Sequence, residues 1–239
     1  MMRELAHIWG HYNKRMATRP RNYILYIFVP LTIILANFAG NIGMGNTNMS
    51  YVFIPASLMV LAFQYLTSEI LLFNVFTTLR GKMAERLFAS PVKRYTFLTG
   101  AAASSLMLNL LQSAVIMGVI TIAFGVTLGN PAIFFGFLLL TGIVSQLLAM
   151  LVAQVTKTRK RADGIYAGVV LIMFVGLEFI PVTRPIFSWA TPLGAAWQGI
   201  MANNNGYTAD TLIKLAVLAG FAVVLGITTV ILGRRRSNI

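Results

Sequence analysis

Apolar stretches long enough to cross a lipid bilayer recur along this chain and constrain its fold more than any other feature. Crossing a hydrocarbon core about 30 Å thick takes roughly 20 helical residues. Such segments must be helical, because unpaired backbone groups are strongly disfavoured in lipid. The sequence predicts six spans, at about Tyr23–Phe38, Tyr51–Phe76, Phe97–Phe124, Ala132–Gln154, Gly164–Ile180 and Thr211–Leu232. We therefore expect an all-α integral membrane protein with one transmembrane domain over residues 1–239.

The basic residues are distributed unevenly between the predicted loops. The net charge is +13, and 17 of the 19 Lys and Arg residues lie in four regions of the chain. These regions are the segment before span one, the loop between spans two and three, the loop between spans four and five, and the segment after span six. The two others are Arg184 and Lys214, and the loops 40–50 and 125–131 carry no charge. Because Lys and Arg favour the cytoplasmic side, both termini are predicted to be cytoplasmic in a multi-pass protein of the cell membrane. This topology accounts for the charge, so nucleic acid is not an expected partner.

Two segments are predicted to be amphipathic helices outside the spans. In residues 1–21, apolar side chains recur at helical spacing from Leu5 to Met16, which predicts a helix lying in the membrane interface. Between spans two and three, residues 82–88 place apolar and charged side chains on opposite sides of a helix that Pro91 would end. A helix that only anchors to anionic lipid would need the same pattern.

Signatures of catalysis and of metal binding are missing from the sequence. It contains no phosphate-binding G-x-x-x-x-G-K-[ST] loop, so the chain is not expected to hydrolyse ATP itself. Its six acidic residues form no paired-carboxylate centre, and it has no cysteine to serve as a nucleophile or thiolate ligand. His7 and His11 lack the context of a zinc motif and a third ligand. We therefore predict a chain that is not an enzyme and binds no metal.

The segment after span two resembles the corresponding loop of ABC-2 type permeases, the membrane subunits of a class of ATP-driven transporters. That loop commonly has an acidic residue, leucine-like positions, Thr or Ser, and then Pro-Val-x-Arg. The matching residues here are Glu85, Leu87, Phe88, Ser90, Pro91, Val92 and Arg94. The chain departs from the family pattern at Arg80, Lys82 and Met83, where an earlier Glu and a Gly-Thr pair are usual.

The resemblance implies that residues 80–94 form a cytoplasmic coupling helix against a separate ATPase. The residues it assigns to ATPase coupling are Lys82, Met83, Glu85, Arg86, Leu87, Phe88, Pro91 and Arg94. Two ATPase subunits and a second permease chain, identical or similar, would complete the transporter. The ATPase would bind ATP and Mg²⁺, and this chain would need no cofactor. The implied activity is export of a hydrophobic or amphipathic substrate such as a drug, an antibiotic, a lipid or a lipid-linked glycan.

The long segment 181–210, between spans five and six, is predicted to face outward. Thr191 followed by Pro192 fits the N-cap and first position of a short helix, which the Asn-rich run before Gly206 would end. This element resembles the extracellular re-entrant helices that roof the exit in ABC-2 type permeases. An interfacial helix with a belt of tryptophans would fit the same sequence.

Four polar side chains within the spans are candidates for lining a substrate path. They are Gln64, Glu69, Asn74 and Glu178. The resemblance places that path where spans two and five of paired subunits meet. A carboxylate at the bilayer centre is unfavourable by about 3 kcal/mol on insertion scales, so it should face protein or water. Structural roles fit as well, with Glu69 bonding Asn109 or Gln112, and Glu178 pairing with Arg184.

Two other classes of membrane protein fit the same topology. A secondary transporter would need coupling-ion sites and usually internal repeats. The sequence shows no repeat and few charges within the spans. A non-transporting scaffold or immunity protein would produce the same pattern of spans and loops.

Overall fold

Helices make up almost all of the described structure. The computed structural model describes residues 10, 14, 28–43, 50–79, 94–178 and 184–237, and these ranges contain no strand. The helices are α1 (Val29–Gly43), α2 (Ser50–Leu79), α3 (Arg94–Phe124), α4 (Pro131–Val155), α5 (Arg159–Glu178), α6 (Arg184–Ala190), α7 (Pro192–Asn204) and α8 (Thr208–Ser237). The all-α prediction is confirmed for this part of the chain. The predicted interfacial helix 1–21, apart from positions 10 and 14, and residues 80–93 of the coupling segment lie outside the described residues.

Four of these helices are long and apolar enough to cross a membrane. They are α2, α3, α4 and α8, with candidate spans Phe53–Phe76, Phe97–Phe124, Pro131–Val155 and Thr208–Gly233. These ranges agree with predicted spans two, three, four and six to within three residues at either end. Apolar length therefore located these four helices correctly.

Predicted spans one and five correspond to α1 and α5. The 15 described residues of α1 extend roughly 22 Å at about 1.5 Å per residue, which is shorter than a hydrocarbon core of about 30 Å. α5 has 20 residues, but Arg159, Lys160, Arg161 and Asp163 lie in its first five positions and Glu178 is its last residue. The six-span topology stays a prediction at these two helices.

α2 lies at the centre of the bundle and α8 at its edge. α2 contacts α1, α3, α4, α5 and α7. Burial covers 71% of the candidate span of α2 but only 11% of that of α8. A helix that is apolar all round needs a protein or lipid environment on every side. Other helices of the same chain surround α2, whereas most of the surface of α8 is not covered by the rest of the chain.

The turn between α3 and α4 is set by local backbone chemistry. Gly125 and Gly129 both adopt a φ of 63°, a conformation that favours glycine. Asn130 then caps α4, since its side chain accepts hydrogen bonds from the N–H groups of Ala132 and Ile133. Pro131 occupies the first helical turn, where a missing N–H is tolerated.

Candidate functional site

A layer of buried polar side chains crosses the bundle between α2, α3 and α4. All of its members are at most 4% exposed. They are Gln64, Thr67 and Ser68 on α2, Ser105, Asn109, Gln112 and Ser113 on α3, and Thr141, Ser145 and Gln146 on α4. Because buried polar groups are unfavourable unless they are hydrogen-bonded, the partners of these side chains decide what the layer does.

Ser68 and Gln146 connect the three helices. Gln146 donates from Nε2 to Ser68 Oγ at 2.9 Å and to Ser105 Oγ at 2.8 Å. Ser68 Oγ lies 2.7 Å from Ser145 Oγ. One turn earlier on α2, Gln64 donates from Nε2 to Ser113 Oγ at 2.8 Å. α2 is therefore bonded to both α3 and α4 at the same level.

Side chains of neighbouring helices also bond carbonyl groups in the α2 backbone. Asn109 donates from Nδ2 to the Gln64 carbonyl at 3.2 Å and to Ser68 Oγ at 3.3 Å. The Tyr166 hydroxyl of α5 donates to the Tyr65 carbonyl at 2.8 Å. A bond to a backbone carbonyl fixes the height of one helix against the other. These contacts hold α2, α3, α4 and α5 in register.

Several polar atoms of the layer have no hydrogen-bond partner among the described residues. They are the amide oxygens of Gln64, Asn109 and Gln146, the hydroxyl of Thr141 and the amide nitrogen of Gln112. Leaving such a group unpaired is unfavourable by about 1–3 kcal/mol. The layer therefore has capacity for further hydrogen bonds. The side chains of the layer are amides and hydroxyls without charge. They can form hydrogen bonds between helices, but they supply no acid or base.

The predicted substrate-path residues do not share one environment. Gln64 is fully buried in the contact between α2 and α3, and Asn74 is 5% exposed. Glu69 is partly exposed. The side chain of Glu178 lies outside the described residues, as does its predicted pairing with Arg184. The structure thus places Gln64 in packing between helices of one chain.

The predicted alternative partners of Glu69 bond other residues. Asn109 bonds Gln64 and Ser68, and Gln112 accepts a hydrogen bond from Thr67 at 3.4 Å. Of the described charged residues, Arg159 and Asp163 pair within the first turns of α5 at 3.2 Å. No group of three His, Cys, Asp or Glu side chains in the described ranges is arranged to hold a metal ion.

The short helix predicted after Thr191 is confirmed as α7. Thr191 Oγ1 accepts a hydrogen bond from the Gly194 N–H at 3.1 Å, and Pro192 follows as the first helical residue. The helix ends at Asn204, and Gly206 turns the chain with a φ of 76°. The preceding helix α6 was not predicted, although Pro185 near its start is a usual signal for a first turn.

α7 is packed into the bundle along its whole length. It contacts α2, α4, α5, α6 and α8, and none of its residues is exposed. Trp197 is 7% exposed, whereas Trp189 on α6 is 54% exposed. A helix lying at a membrane interface would expose one face. The burial of α7 therefore disfavours a helix that lies flat at the interface, and the re-entrant arrangement stays a prediction.

Asn203 ties the end of α7 to the turn between α3 and α4. Its Nδ2 donates to the carbonyls of Leu128 at 2.9 Å and Asn130 at 3.1 Å, and its Oδ1 accepts from the Asn130 N–H at 3.3 Å. Gly129 fits beside it, because a Cβ there would overlap the Asn203 carbonyl. This junction joins two segments that are predicted to lie on the outer side.

Comparison with known families identifies the chain. Residues 30–231 match the family model of the ABC-2 family transporter proteins. The chain belongs to this family. The match covers nearly all of the helices from α1 to α8. The resemblance predicted from the segment after span two is thus confirmed, and with its candidate spans this ABC-2 protein is a multi-pass membrane protein. No curated protein and no solved structure matches the chain.

Most of the predicted coupling residues lie outside the described ranges. Of those predicted, Lys82, Met83, Glu85, Arg86, Leu87, Phe88 and Pro91 lie outside them, and Arg94 is the first residue of α3. The flanking elements are described: α2 ends at Leu79 and α3 begins at Arg94. The predicted coupling segment therefore lies in the chain between the two helices that the polar layer bonds to each other.

The polar layer was missed by sequence reasoning apart from Gln64, Asn109 and Gln112. A signal was present, because polar residues one turn apart recur on three neighbouring predicted spans, as in Gln64 with Ser68 and Asn109 with Ser113. In a membrane helix such residues usually bond a neighbouring helix. Their spacing alone does not indicate which helix that is.

Proposed function

We propose that this ABC-2 protein is the permease subunit of an ATP-driven exporter. It would form the membrane path for a hydrophobic or amphipathic substrate and work with two separate ATPase subunits. The observation that carries the proposal is the family match over residues 30–231. ATP and Mg²⁺ are assigned to the ATPase because residues 1–239 contain no phosphate-binding loop. The secondary-transporter and scaffold or immunity alternatives have no comparable support.

The bonds between α2 and α3 support a lever role for the coupling segment. A displacement of the segment would act on the ends of both helices. Because Gln64 bonds Ser113 and Asn109 bonds the α2 backbone, the two helices would move together rather than slide apart. ATP binding would then shift this pair against the rest of the bundle and switch the path between inward and outward openings. The unpaired atoms of the polar layer would take new partners in the second arrangement.

Glu85→Lys is expected to prevent stable assembly with the ATPase. Reversing a charge at a contact surface adds repulsion and removes an attractive pair. The chain is co-expressed with the ATPase encoded beside it and purified by affinity in mild detergent, and vanadate-sensitive ATP hydrolysis is measured. We expect at least a tenfold loss of co-purified ATPase and of its activity. Glu85→Gln, which only neutralises the charge, is expected to have a smaller effect.

The control for this experiment tests whether the variant chain is folded. Size-exclusion chromatography of the variant should show the same yield and peak as the wild type, so that a lost complex is not a folding defect. Normal ATPase recovery with Glu85→Lys would contradict the coupling assignment. No complex with the wild type, when the chain is inserted and folded, would favour a secondary transporter or a scaffold.

The exposed surface of α5 supports pairing with a second permease chain. Gly164 and Gly168 are one turn apart, and a Cβ at either would meet no atom within 4 Å. On the same stripe, Leu171 and Ile172 are each 61% exposed. Small residues spaced by four allow membrane helices to approach closely. Since α2 is largely buried within one chain, we place the pairing surface on α5.

Gly168→Leu is therefore expected to weaken self-association by at least about tenfold, which corresponds to about 1.4 kcal/mol. The leucine side chain would hold the two α5 helices apart. Self-association is measured by energy transfer between labelled chains in liposomes as protein is diluted into lipid. Gly118→Leu, at another open glycine on α3, is the matched control and should associate as the wild type does. Equal association of the Gly168 variant and the wild type would exclude pairing through this stripe.

A further inference from the structure

A cavity of about 490 Å³ opens between α6, α7 and the start of α8. It lies at the end of the bundle that the charge distribution places outside. Its walls include three aromatic residues, Trp189, Trp197 and Tyr207, and two charged residues, Asp210 and Lys214. A cavity of this size that combines apolar walls with a few polar groups is typical of a small-molecule site.

Lys214 is a buried cation that makes no salt bridge with another described residue. The residue is 5% exposed, and its Nζ makes no hydrogen bond. The ammonium lies 3.0 Å from the ring centre of Trp189. A buried charge is unfavourable unless it is paired and hydrogen-bonded, and an aromatic face meets this need only in part. Because Trp189 is 54% exposed, its ring can move aside with little loss of packing and leave the ammonium to an anion in the cavity.

Asp210 supplies the opposite charge in the same cavity. It lies one helical turn before Lys214 and is exposed, and the described contacts include no salt bridge between the two residues. Tyr207, also exposed and lining the cavity, lies one turn before Asp210. A carboxylate and a phenol ring are both partners that an amine group favours. The cavity therefore offers one place for a negative group and another for a positive group.

We propose that this cavity binds the zwitterionic headgroup of an amphipathic molecule. A phosphate or carboxylate group would bind Lys214, an amine would lie at Asp210 and Tyr207, and the start of the apolar part would pack on Trp197. A purely anionic headgroup would be repelled by Asp210. The proposal goes beyond the export function, because binding requires neither ATP nor a partner subunit. The ligand comes either from the bilayer as a phospholipid or from the transport path as an exported amphiphile.

The test uses the tryptophans of the cavity as the reporter. The chain has three tryptophans, and two of them line the cavity. In a Trp9→Phe background, the emission of the full-length chain in maltoside detergent therefore reports on this site. The probes are dioctanoyl phosphatidylethanolamine, which is zwitterionic, and dioctanoyl phosphatidylglycerol, which is anionic and has the same chains. We expect saturable binding of the zwitterionic probe and at least tenfold weaker binding of the anionic one.

Substitutions of Lys214 and Asp210, with one control, separate the roles of the two charges. Lys214→Gln should weaken binding of the zwitterionic probe at least tenfold. If that variant does not fold, Lys214→Met is used in its place, with the same expected result. Asp210→Asn should reduce the preference for the zwitterionic probe to less than threefold. Lys157→Gln, at an exposed lysine in the turn before α5, is the matched control and should bind within twofold of the wild type.

Two results would overturn the proposal. One is an emission change that does not saturate or is the same in Lys214→Gln. The other is equal binding of both probes by the wild type. Mass spectrometry of lipids retained by the purified chain then distinguishes the sources. Phosphatidylethanolamine retained by the wild type and lost from Lys214→Gln would identify a bilayer phospholipid. Saturable binding without retained lipid would identify a ligand delivered along the transport path.

Discussion

Gly194→Ala is expected to destabilise the folded protein by about 3 kcal/mol, the upper end of the usual range for overpacking. A Cβ at this position would overlap the carbonyl oxygen of Phe187 and the Cα of Ser188. These are backbone atoms of α6, so no side-chain rotation relieves the overlap. The Phe187 carbonyl also accepts the Thr191 N–H at 3.1 Å. Moving it away would break the bond that closes α6 against the start of α7.

Thermal unfolding in detergent, followed by the loss of the monodisperse chromatographic peak, measures this effect. A loss of about 3 kcal/mol corresponds to a drop of roughly 6–12 °C for a chain of this size. Gly220→Ala on α8 is the matched control, because a Cβ there meets no atom within 4 Å. It should be neutral or slightly stabilising, since Ala favours the helix more than Gly does. Equal melting of the two variants would mean that α6 and α7 do not pack in this close arrangement.

Asn203→Asp is expected to open the junction between α7 and the turn after α3. The substitution keeps the size of the side chain and leaves an oxygen to accept the Asn130 N–H. It removes the donor that bonds the carbonyls of Leu128 and Asn130, and a carboxylate would then face two carbonyl oxygens. Both bonds are part-buried, and the Asn130 carbonyl keeps the bond that it accepts from the Phe134 N–H. We therefore expect a loss of about 1–3 kcal/mol, mainly from the unpaired Leu128 carbonyl.

Amide hydrogen exchange shows which part of the chain Asn203→Asp destabilises. Amide protection in residues 125–130 should fall at least tenfold in Asn203→Asp, together with a lower melting temperature. Asn205→Asp is the neighbouring control, because the Asn205 side chain is exposed and a carboxylate there stays in contact with solvent. That variant should remain close to the wild type in both measurements. Equal protection in the two variants would show that the side-chain bonds of Asn203 do not hold the turn.

The elements predicted well from the sequence are those whose signal is local. The apolar run over Phe97–Phe124 matches a candidate span at both ends, because its length and hydropathy are properties of that segment alone. Thr191 and Pro192 predicted the start of α7 because capping involves bonds within one turn. The family was recognised from Glu85 to Arg94 by a motif of ten consecutive residues, and the match over residues 30–231 agrees with it.

The contacts that the sequence left open depend on which helix faces which. Gln64 stays a candidate for the substrate path, and only the structure shows that it bonds Ser113, 49 residues away. Tyr166 bonds the backbone of Tyr65 across 101 residues. In a helix that is apolar on all sides, the sequence period does not indicate which face meets a neighbour. The partner of a polar side chain follows from the rotation and height of both helices.

The sequence alone determined that this protein is helical, that four of its segments are long and apolar enough to span a membrane, that its basic residues cluster in a few loops, and that it belongs to the ABC-2 family. These properties follow from composition, segment length and short motifs, which act through local free energies of insertion and capping. Only the tertiary structure decided that a polar layer joins α2 to its neighbours and that Lys214 lies under Trp189 beside a cavity. These arrangements depend on packing between distant segments, where many contacts of similar energy compete and only their sum selects one geometry.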